Sequence, residues 1–502
     1  MNYTSTRSKD VKISSAEAIL QGLSIDGGLF VPESIPKVKL EEIGQLCSMT
    51  YVQRAVTVLK KFLTDYSDDE LAESAELAYD WFDVTAKVPL IVLLRNKEDT
   101  KAPIGIMELW HGNTSAFKDL ALQILPHLMS KALKKTGESK EILILVATSG
   151  DTGKAALAGF ADVPQTKIMV FYPDGGVSKI QRLQMVTQTG KNVNVTAVRG
   201  NFDDCQNGVK NIFSDEEIRA KLSDTNVKLS SANSINWGRL VPQIVYYFSS
   251  YAEFINAGNI KLGDQVNVIV PTGNFGNILA AYYARKMGLP VKKLICASNI
   301  NHVLTDFFQT GVYDRNREFH KTITPSMDIL ISSNLERLLY HETSGDVEQV
   351  KSYMKELSET GRYKIGATLK KRLDKIFYAD YATEAETASI IQNVFSNFGY
   401  LVDTHTAVAM SVMAKYRRET KDMLPAIVAS TASPFKFTAA VLNALGENVT
   451  GVDDLVQLGK LSRRTNKKIP KNLESLGTAK ILHEDVCDKE EMAARVLKFA
   501  AE

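Results

Sequence analysis

The sequence predicts an α/β fold in which open, mostly parallel sheets are covered by helices on both faces. Three observations carry that prediction. Residues 142–147 (ILILVA) and 266–270 (VNVIV) are near-continuous apolar runs without alternation, as in strands buried on both faces. Each run leads into a short loop rich in Gly, Ser, Thr and Asn, and then into a helical pattern. That strand–loop–helix order recurs from about residue 95 onward, which is the signature of a parallel sheet with crossover helices.

The elements follow in chain order. Ser14-Ser15-Ala16-Glu17 reads as a capping box ahead of an apolar helical stretch. Residues 26–28 (DGG) form a turn, and 29–31 a short extended segment stopped by Pro32. Helical patterns cover about 40–64 and 68–82. Next comes the stretch 111–123 (HGNTSAFKDLALQ), where Asp119 is the expected N-cap of a helix through Leu120, Ile124, Leu125 and Leu128, with Pro126 expected to kink it. The strand at 142–147 runs into 148–153 (TSGDTG) and an alanine-rich helix from Lys154. Residues 167–172 are another strand, ending in the turn 173–176 (PDGG). The strand at 266–270 leads through 271–277 (PTGNFGN) to a helix over 278–286. Residues 294–297 and 426–429 are further strands, the latter opening into 430–434 (STASP). Residues 341–385 are charged and read as a solvent-facing helical addition without chemistry.

This pattern suggests a mostly helical N-terminal segment over 1–95 that packs on a large unit formed by 96–136 and 232–502. A smaller α/β unit is expected over 137–231. With 502 residues there is ample material for a buried core. The formal net charge of +2 gives no reason to expect a nucleic-acid partner. Four widely spaced cysteines show no metal-ligand spacing, so no metal is expected, and they suit the reducing cytoplasm. The N-terminus lacks the apolar core of a secretion signal and no apolar run is long enough to cross a bilayer.

The Lys118 stretch and four loops carry candidate chemistry. Lys118, beside a helix N-terminus and its partial positive charge, is placed to lose its proton, and a neutral amine is what imine chemistry with a carbonyl requires. Residues 273–277 (GNFGN) join a buried strand to a helix, with glycines that admit a ligand to the backbone amides, an arrangement suited to phosphate. It matches neither the triphosphate-binding nor the dinucleotide-binding glycine pattern. Ser149, Asp151 and Thr152 occupy a similar loop that suits a carboxylate or a polar ring substituent. Ser234, Asn236 and Arg239 suit an anionic substrate group, and Thr431 offers a hydroxyl after another strand. Each loop alone has an ordinary reading as a turn, a cap or a surface ion pair. Together they sit at the carboxyl ends of strands, where ligands of open α/β sheets bind. A lysine plus a phosphate cradle is the pair that pyridoxal phosphate requires.

His111-Gly112-x-Thr114-x-Ala116-Phe117-Lys118-Asp119, residues 147–153 (ATSGDTG), 233–237 (NSINW) and 271–277 (PTGNFGN) together resemble threonine synthase. So do Tyr3-x-Ser5-Thr6-Arg7 and residues 26–32 (DGGLFVP), and the likeness runs from residue 3 to about 437 in the family's order. The resemblance implies a fold type II pyridoxal phosphate enzyme, similar to the tryptophan synthase β subunit. It implies that Lys118 holds the cofactor aldehyde and that Gly273, Asn274, Phe275, Gly276 and Asn277 hold its phosphate. Thr431 would meet the pyridine nitrogen. Ser149, Asp151 and Thr152 would face the substrate carboxylate and the cofactor ring, and Ser234, Asn236 and Arg239 the substrate phosphate. The implied reaction turns O-phospho-L-homoserine and water into L-threonine and phosphate, in a monomer or homodimer.

The chain departs from the family at Asn113, where proline is usual, at Ser433, where histidine is frequent, and at Lys154, where a small residue is common. None of the three removes a group the chemistry needs, but Asn113 and Ser433 leave open a related phospho-lyase that yields 2-oxobutanoate. A non-catalytic ligand-binding protein on the same fold is less compatible with an intact lysine and phosphate loop.

Overall fold

A computed structural model describes residues 1–80, 82, 90–94, 103–148 and 150–502. The chain opens with a small antiparallel sheet in which β1 (Tyr3–Ser5) is flanked by β2 (Ser8–Ile13) and β3 (Phe30–Pro32). The helix Ser15–Gln21 starts at the expected capping box: Ser14 accepts the Glu17 amide and Glu17 reaches back to the Ser14 amide. The helix expected over 40–64 is instead divided into Leu40–Gln45, a 3₁₀ turn at Leu46–Ser48, and Tyr51–Leu59. The break has a local cause, because Met49 is extended and Thr50 caps a new helix by accepting the Gln53 amide. The helix Asp68–Tyr79 is capped in the same way by Ser67.

The remaining strands are β4 (Leu90–Leu94), β5 (Ile104–Glu108), β6 (Glu141–Ala147), β7 (Thr166–Pro173), β8 (Val193–Arg199), β9 (Val227–Ser230), β10 (Val266–Pro271), β11 (Val291–Ser298), β12 (Val312–Asp314), β13 (Arg362–Lys364), β14 (Phe377–Tyr381), β15 (Ala426–Ser430) and β16 (Asp485–Asp488). Among the described residues they build a six-stranded sheet ordered β14-β11-β10-β15-β5-β4 and a five-stranded sheet ordered β16-β8-β7-β6-β9, with β12 and β13 forming a separate ribbon. The five-stranded sheet is parallel throughout, and the six-stranded sheet is parallel except at its β4 edge. Every residue of β10 and β15 is buried, which explains why these strands show no alternation in the sequence.

Two parts of the chain depart from the expected layout. Residues 341–385 are not merely an external addition: after the helices Val347–Thr360 and Ala367–Ile376 the chain enters β14, which pairs in parallel with β11 at the edge of the large sheet. The charged helices on either side mask this short strand in the sequence. The last residues also leave the large unit, because β16 pairs with β8 and the helix Met492–Ala501 packs on the small sheet through Met492, Val496 and Phe499.

The helix Trp237–Asn256 is the spine of the large unit, with seventeen of its residues buried from Trp237 to Phe254. Trp237 is fully buried among Tyr3, Phe62 and Tyr283, with ring centroids 5.4–5.6 Å apart. This cluster locks the N-terminal segment onto the helix, and emptying a site of that size costs about 3–5 kcal/mol. No helix among the described residues is long and apolar enough to cross a membrane. No group of three His, Cys, Asp or Glu residues among them could hold a metal ion.

Candidate functional site

Parallel register brings the candidate loops to one edge. β5 and β15 run side by side with Glu108 opposite Ser430, and β10 pairs with β15 on the other flank. The chain leaving β5 is then stitched to the chain leaving β15. The Phe117 amide donates to Thr431 O at 2.8 Å, the Ser433 amide donates to Ser115 O at 3.0 Å, and Ala116 bridges Ala432. Ser115 takes the left-handed φ of 57° to make that turn. Lys118 is thereby held at the end of β15, beside Thr431.

Asp119 is not the N-cap expected from the sequence. It is the first residue of the helix Asp119–Leu122, and its carboxylate reaches back to accept the Thr114 amide at 2.8 Å and the Thr114 hydroxyl at 2.7 Å. This tether needs Gly112, since a Cβ there would lie 2.6 Å from Asp119 Cβ. The helix is interrupted after Leu122, and Pro126 sits in the first turn of its successor Leu125–Thr136, so the break precedes the proline.

Burial is the leading influence on Lys118 and lowers its ammonium to about 8. Asp151 opposes that shift, while Arg239 and Lys436 add to it. Desolvation, more than the helix end, therefore provides the neutral amine.

The 273–277 loop leaves β10 and enters the helix Gly276–Met287. Phe275 is left-handed at φ 64°, a strained conformation for an aromatic residue. Gly273 is pressed against the neighbouring loop, where a Cβ would stand 2.6 Å from Ser326 O. The Asn277 side-chain oxygen accepts Tyr246 Oη at 2.8 Å and also the Tyr247 hydroxyl, while its Nδ2 is buried without a protein partner. An open helix N-terminus with an unsatisfied amide donor in the cleft wall matches the needs of a phosphate.

In the next loop the Thr148 hydroxyl accepts the amides of Gly150 and Gly153 at 2.9 and 3.0 Å, and Gly150 adopts φ 138°. Asp151 departs from its expected role facing a substrate carboxylate. Its Oδ1 accepts from Lys436 Nζ at 2.9 Å and Gln181 Nε2 at 3.0 Å, and its Oδ2 lies 3.9 Å from Lys118 Nζ. Burial works to raise this carboxyl, but Lys436 and Lys118 outweigh it and hold it below the usual range. A permanent carboxylate repels another one. Thr152 lines the cleft, and Ser149 lies outside the described residues.

Of the third group, Ser234 and Arg239 reach the cleft but Asn236 does not. The Asn236 amide donates to Ile19 O at 2.9 Å and Ser231 O at 3.0 Å, and its oxygen caps the helix Trp237–Asn256 by accepting the Gly238 amide. With all of that polarity spent, Asn236 serves to dock the N-terminal segment. Arg239 is buried, donates to Ala232 O at 2.7 Å, and is lowered by burial to about 10. The cleft that joins these groups has a volume of about 1950 Å³, and its walls include Lys118, Thr152, Arg239, the 273–277 loop and Thr431.

Several participants lie outside the motifs. Lys436, on the 3₁₀ turn Pro434–Phe437, is fully buried, donates to Thr114 O at 2.8 Å and pairs with Asp151. Gln181 lies thirty residues from Asp151 in the chain, and Asn334, which donates to Ser234 Oγ at 3.1 Å, lies a hundred from Ser234. Nothing local marks either. Asn113 and Ser433 do not line the cleft: Asn113 O accepts Asn472 Nδ2 and Ser433 Oγ accepts the Phe435 amide.

Comparison with known proteins fits this geometry. Residues 2–79 match the threonine synthase N terminus, 82–368 the pyridoxal-phosphate dependent enzyme family, and 406–481 the threonine synthase C-terminal family. The chain is 37% identical to threonine synthase of Saccharomyces cerevisiae, over 88% of this chain and 89% of that protein. It is 41% identical to threonine synthase-like 1 of Homo sapiens over 86% of this chain, and it spans 58% of the length of that relative. Among solved structures, pyridoxal phosphate-bound threonine synthase from Brucella melitensis superposes with a TM-score of 0.87 at 35% identity, covering 100% of both chains. Threonine synthase from yeast gives a TM-score of 0.88 at 33% identity, covering 99% of this chain and 98% of the other. The cofactor is pyridoxal 5′-phosphate, and the buried amine, the free Asn277 donor and the open helix end fit its aldehyde and phosphate. With a fold type II architecture and matching models at both ends and the centre, the chain belongs to the threonine synthase family of pyridoxal phosphate enzymes.

Proposed function

We propose that this chain converts O-phospho-L-homoserine and water into L-threonine and inorganic phosphate. The observation that carries the reading is the opening of the Lys118 amine and the 273–277 loop into one cleft. Bound pyridoxal phosphate supplies an electron sink that lets an amino acid lose its α-proton. In the balance of the reaction the bond from the γ-carbon to the phosphate oxygen breaks and phosphate leaves, one C–H bond of the β-carbon breaks and the hydroxyl of water takes its place, and the γ-carbon gains a hydrogen.

Lys118 is the base in this scheme, taking protons from the substrate carbons and returning them. Its amine, lowered to about 8, is poised for both tasks near neutral pH. Residues 273–277 hold the cofactor phosphate, and Thr431, 7% exposed in the cleft wall, meets the ring nitrogen with a neutral hydroxyl. Arg239 is the cation for the substrate phosphate, with Ser234 beside it. Thr152 and the backbone of its loop serve the substrate carboxylate, while Asp151 serves Lys118. Four free cysteines favour a cytoplasmic setting.

The test is a coupled assay of the purified chain with O-phosphohomoserine, following threonine and phosphate together. Equimolar release of both is expected. Phosphate with a keto acid and no threonine would establish the phospho-lyase instead.

A further inference from the structure

The buried charges around Lys118 form a row of three. Asp151 lies between two lysines, with Oδ1 2.9 Å from Lys436 Nζ and Oδ2 3.9 Å from Lys118 Nζ. The two contacts are unequal. Lys436 is within charge-assisted hydrogen-bond distance and Lys118 is not. The Lys436 side chain is fully buried and Asp151 is 4% exposed, so neither charge has water as an alternative partner. The Lys436 ammonium is also oriented by Thr114 O at 2.8 Å and Gln184 Oε1 at 3.3 Å, two acceptors besides Asp151.

We infer that Lys436 is a positioning residue for Lys118: by taking the Asp151 carboxylate in a closer ion pair, it leaves Lys118 facing a charge that is already answered. This deepens the proposed function, since it rests on Lys118 being the amine that holds the cofactor. A lone buried carboxylate beside Lys118 would keep that amine protonated and unreactive. The paired carboxylate orients Lys118 without fixing a proton on it. The charged groups around Lys118 are Asp151 on the helix Asp151–Phe160, Arg239 on the helix Trp237–Asn256, Lys436 on the turn Pro434–Phe437, and Asp119 on its own short helix. Asp119 is occupied by two bonds from Thr114, and Arg239 adds positive charge. Asp151 is therefore the carboxylate whose charge Lys436 must offset.

The experiment uses the full-length chain freed of cofactor and mixed with pyridoxal 5′-phosphate over pH 6–10. The rate at which visible absorbance appears is followed, and Lys118→Ala identifies the signal that belongs to Lys118. The wild-type rate should rise to a midpoint near pH 8. In Lys436→Met the midpoint should move up by a pH unit or more, which slows capture at pH 7 about tenfold. Lys436→Arg should restore the wild-type profile, and Asp151→Asn should move the midpoint down. A folded Lys436→Met whose profile overlays the wild type overturns the inference. If circular dichroism shows that Lys436→Met does not fold, Lys436→Gln, which keeps a donor for Thr114 O, decides: a raised midpoint supports the inference, and an unchanged or lowered one overturns it. A wild-type chain that gives no absorbance at any pH defeats the cofactor reading and this inference with it, whereas wild-type absorbance with superimposable variant profiles defeats the inference alone.

Discussion

Tyr246 Oη donates to the side-chain oxygen of Asn277 at 2.8 Å, and this bond fixes which end of the Asn277 amide is left without a partner. Tyr247 donates to the same oxygen, so the Nδ2 group is left as the free end. Two buried hydroxyls thus determine that the 273–277 loop keeps an unpaired donor. Losing one of them leaves the other in place, and a net hydrogen bond is worth about 1 kcal/mol. Tyr246→Phe should therefore weaken cofactor binding only about fivefold in a titration of the visible absorbance. Asn277→Asp replaces the donor with a negative charge facing phosphate, and should weaken binding at least about tenfold more. Equal effects for the two variants would remove Asn277 Nδ2 from the phosphate site.

Gly273 makes a steric prediction at the same loop. A Cβ would meet Ser326 O at 2.6 Å, and that oxygen belongs to backbone whose neighbouring amide is anchored on His405 Nε2 at 3.2 Å. The clash cannot be relieved by rotating a side chain. Gly273→Ala should keep the fold by circular dichroism while cofactor affinity falls about tenfold or more, in line with the 1–3 kcal/mol cost of overpacking. Unchanged affinity would mean that the two loops separate freely.

Arg337 joins three regions far apart in the sequence. Its fully buried guanidinium donates to Phe30 O at 2.9 Å, Ile235 O at 2.7 Å and Asn334 Oδ1 at 2.6 Å. The N-terminal sheet, the 231–236 loop and the 332–334 segment are tied through this one group. Arg337→Met should cost roughly 3 kcal/mol by leaving buried acceptors unpaired, read as a lower urea midpoint. Because Ile235 adjoins Ser234, KM for the phosphorylated substrate should rise in the surviving enzyme. A variant with unchanged midpoint and unchanged KM would dispose of this coupling.

The loops were legible in the sequence because each follows a run of residues buried on both sides, and such runs have no polar alternation to obscure them. The 273–277 loop and Thr431 could be found this way, whereas Lys118 was marked by its place between Phe117 and Asp119 ahead of a helical pattern. What could not be read was pairing over long separations. Nothing near Asp151 announces Lys436, and the Asn236 amide looked available because its acceptors, Ile19 O and Ser231 O, are backbone groups that only the fold brings within reach. β14 and β16 were hidden for a different reason. β14 is only five residues long between charged helices, β16 has two acidic residues among its four, and both lie at a sheet edge, where one side needs no partner strand.

Stability should carry the signature of the buried amine. The Lys118 ammonium has an ordinary value of 10.5 and is lowered by burial to about 8 in the fold. Between those values the unfolded chain holds a proton that the native chain has released, so stability rises as pH increases through this window. Below about pH 8 both states are protonated and the penalty for burying the charge is fully present. For the cofactor-free chain the Lys118 contribution to unfolding free energy should improve by roughly 2 kcal/mol from pH 8 to pH 10. Lys118→Met lacks this increment. The difference between the two proteins in urea unfolding should therefore narrow by that amount, with the variant the more stable at pH 8. A constant difference would mean that the amine stays hydrated in the native state.

Arg239 is the sharpest test of how the substrate is held. It is buried, its guanidinium donates to the carbonyl of Ala232, and burial lowers its value. A buried guanidinium without a carboxylate partner in the cleft wall is costly unless an anion visits it. The substrate phosphate is such an anion, whereas the proposed place of the cofactor phosphate is the 273–277 loop. Arg239→Gln should therefore leave the visible spectrum and the cofactor affinity unchanged while raising KM for O-phosphohomoserine at least about tenfold, as expected for a charge-assisted contact of 1.5–3 kcal/mol. Inorganic phosphate should inhibit the wild type and lose most of that inhibition in the variant. A loss of cofactor absorbance with little change in KM would move Arg239 from the substrate to the cofactor.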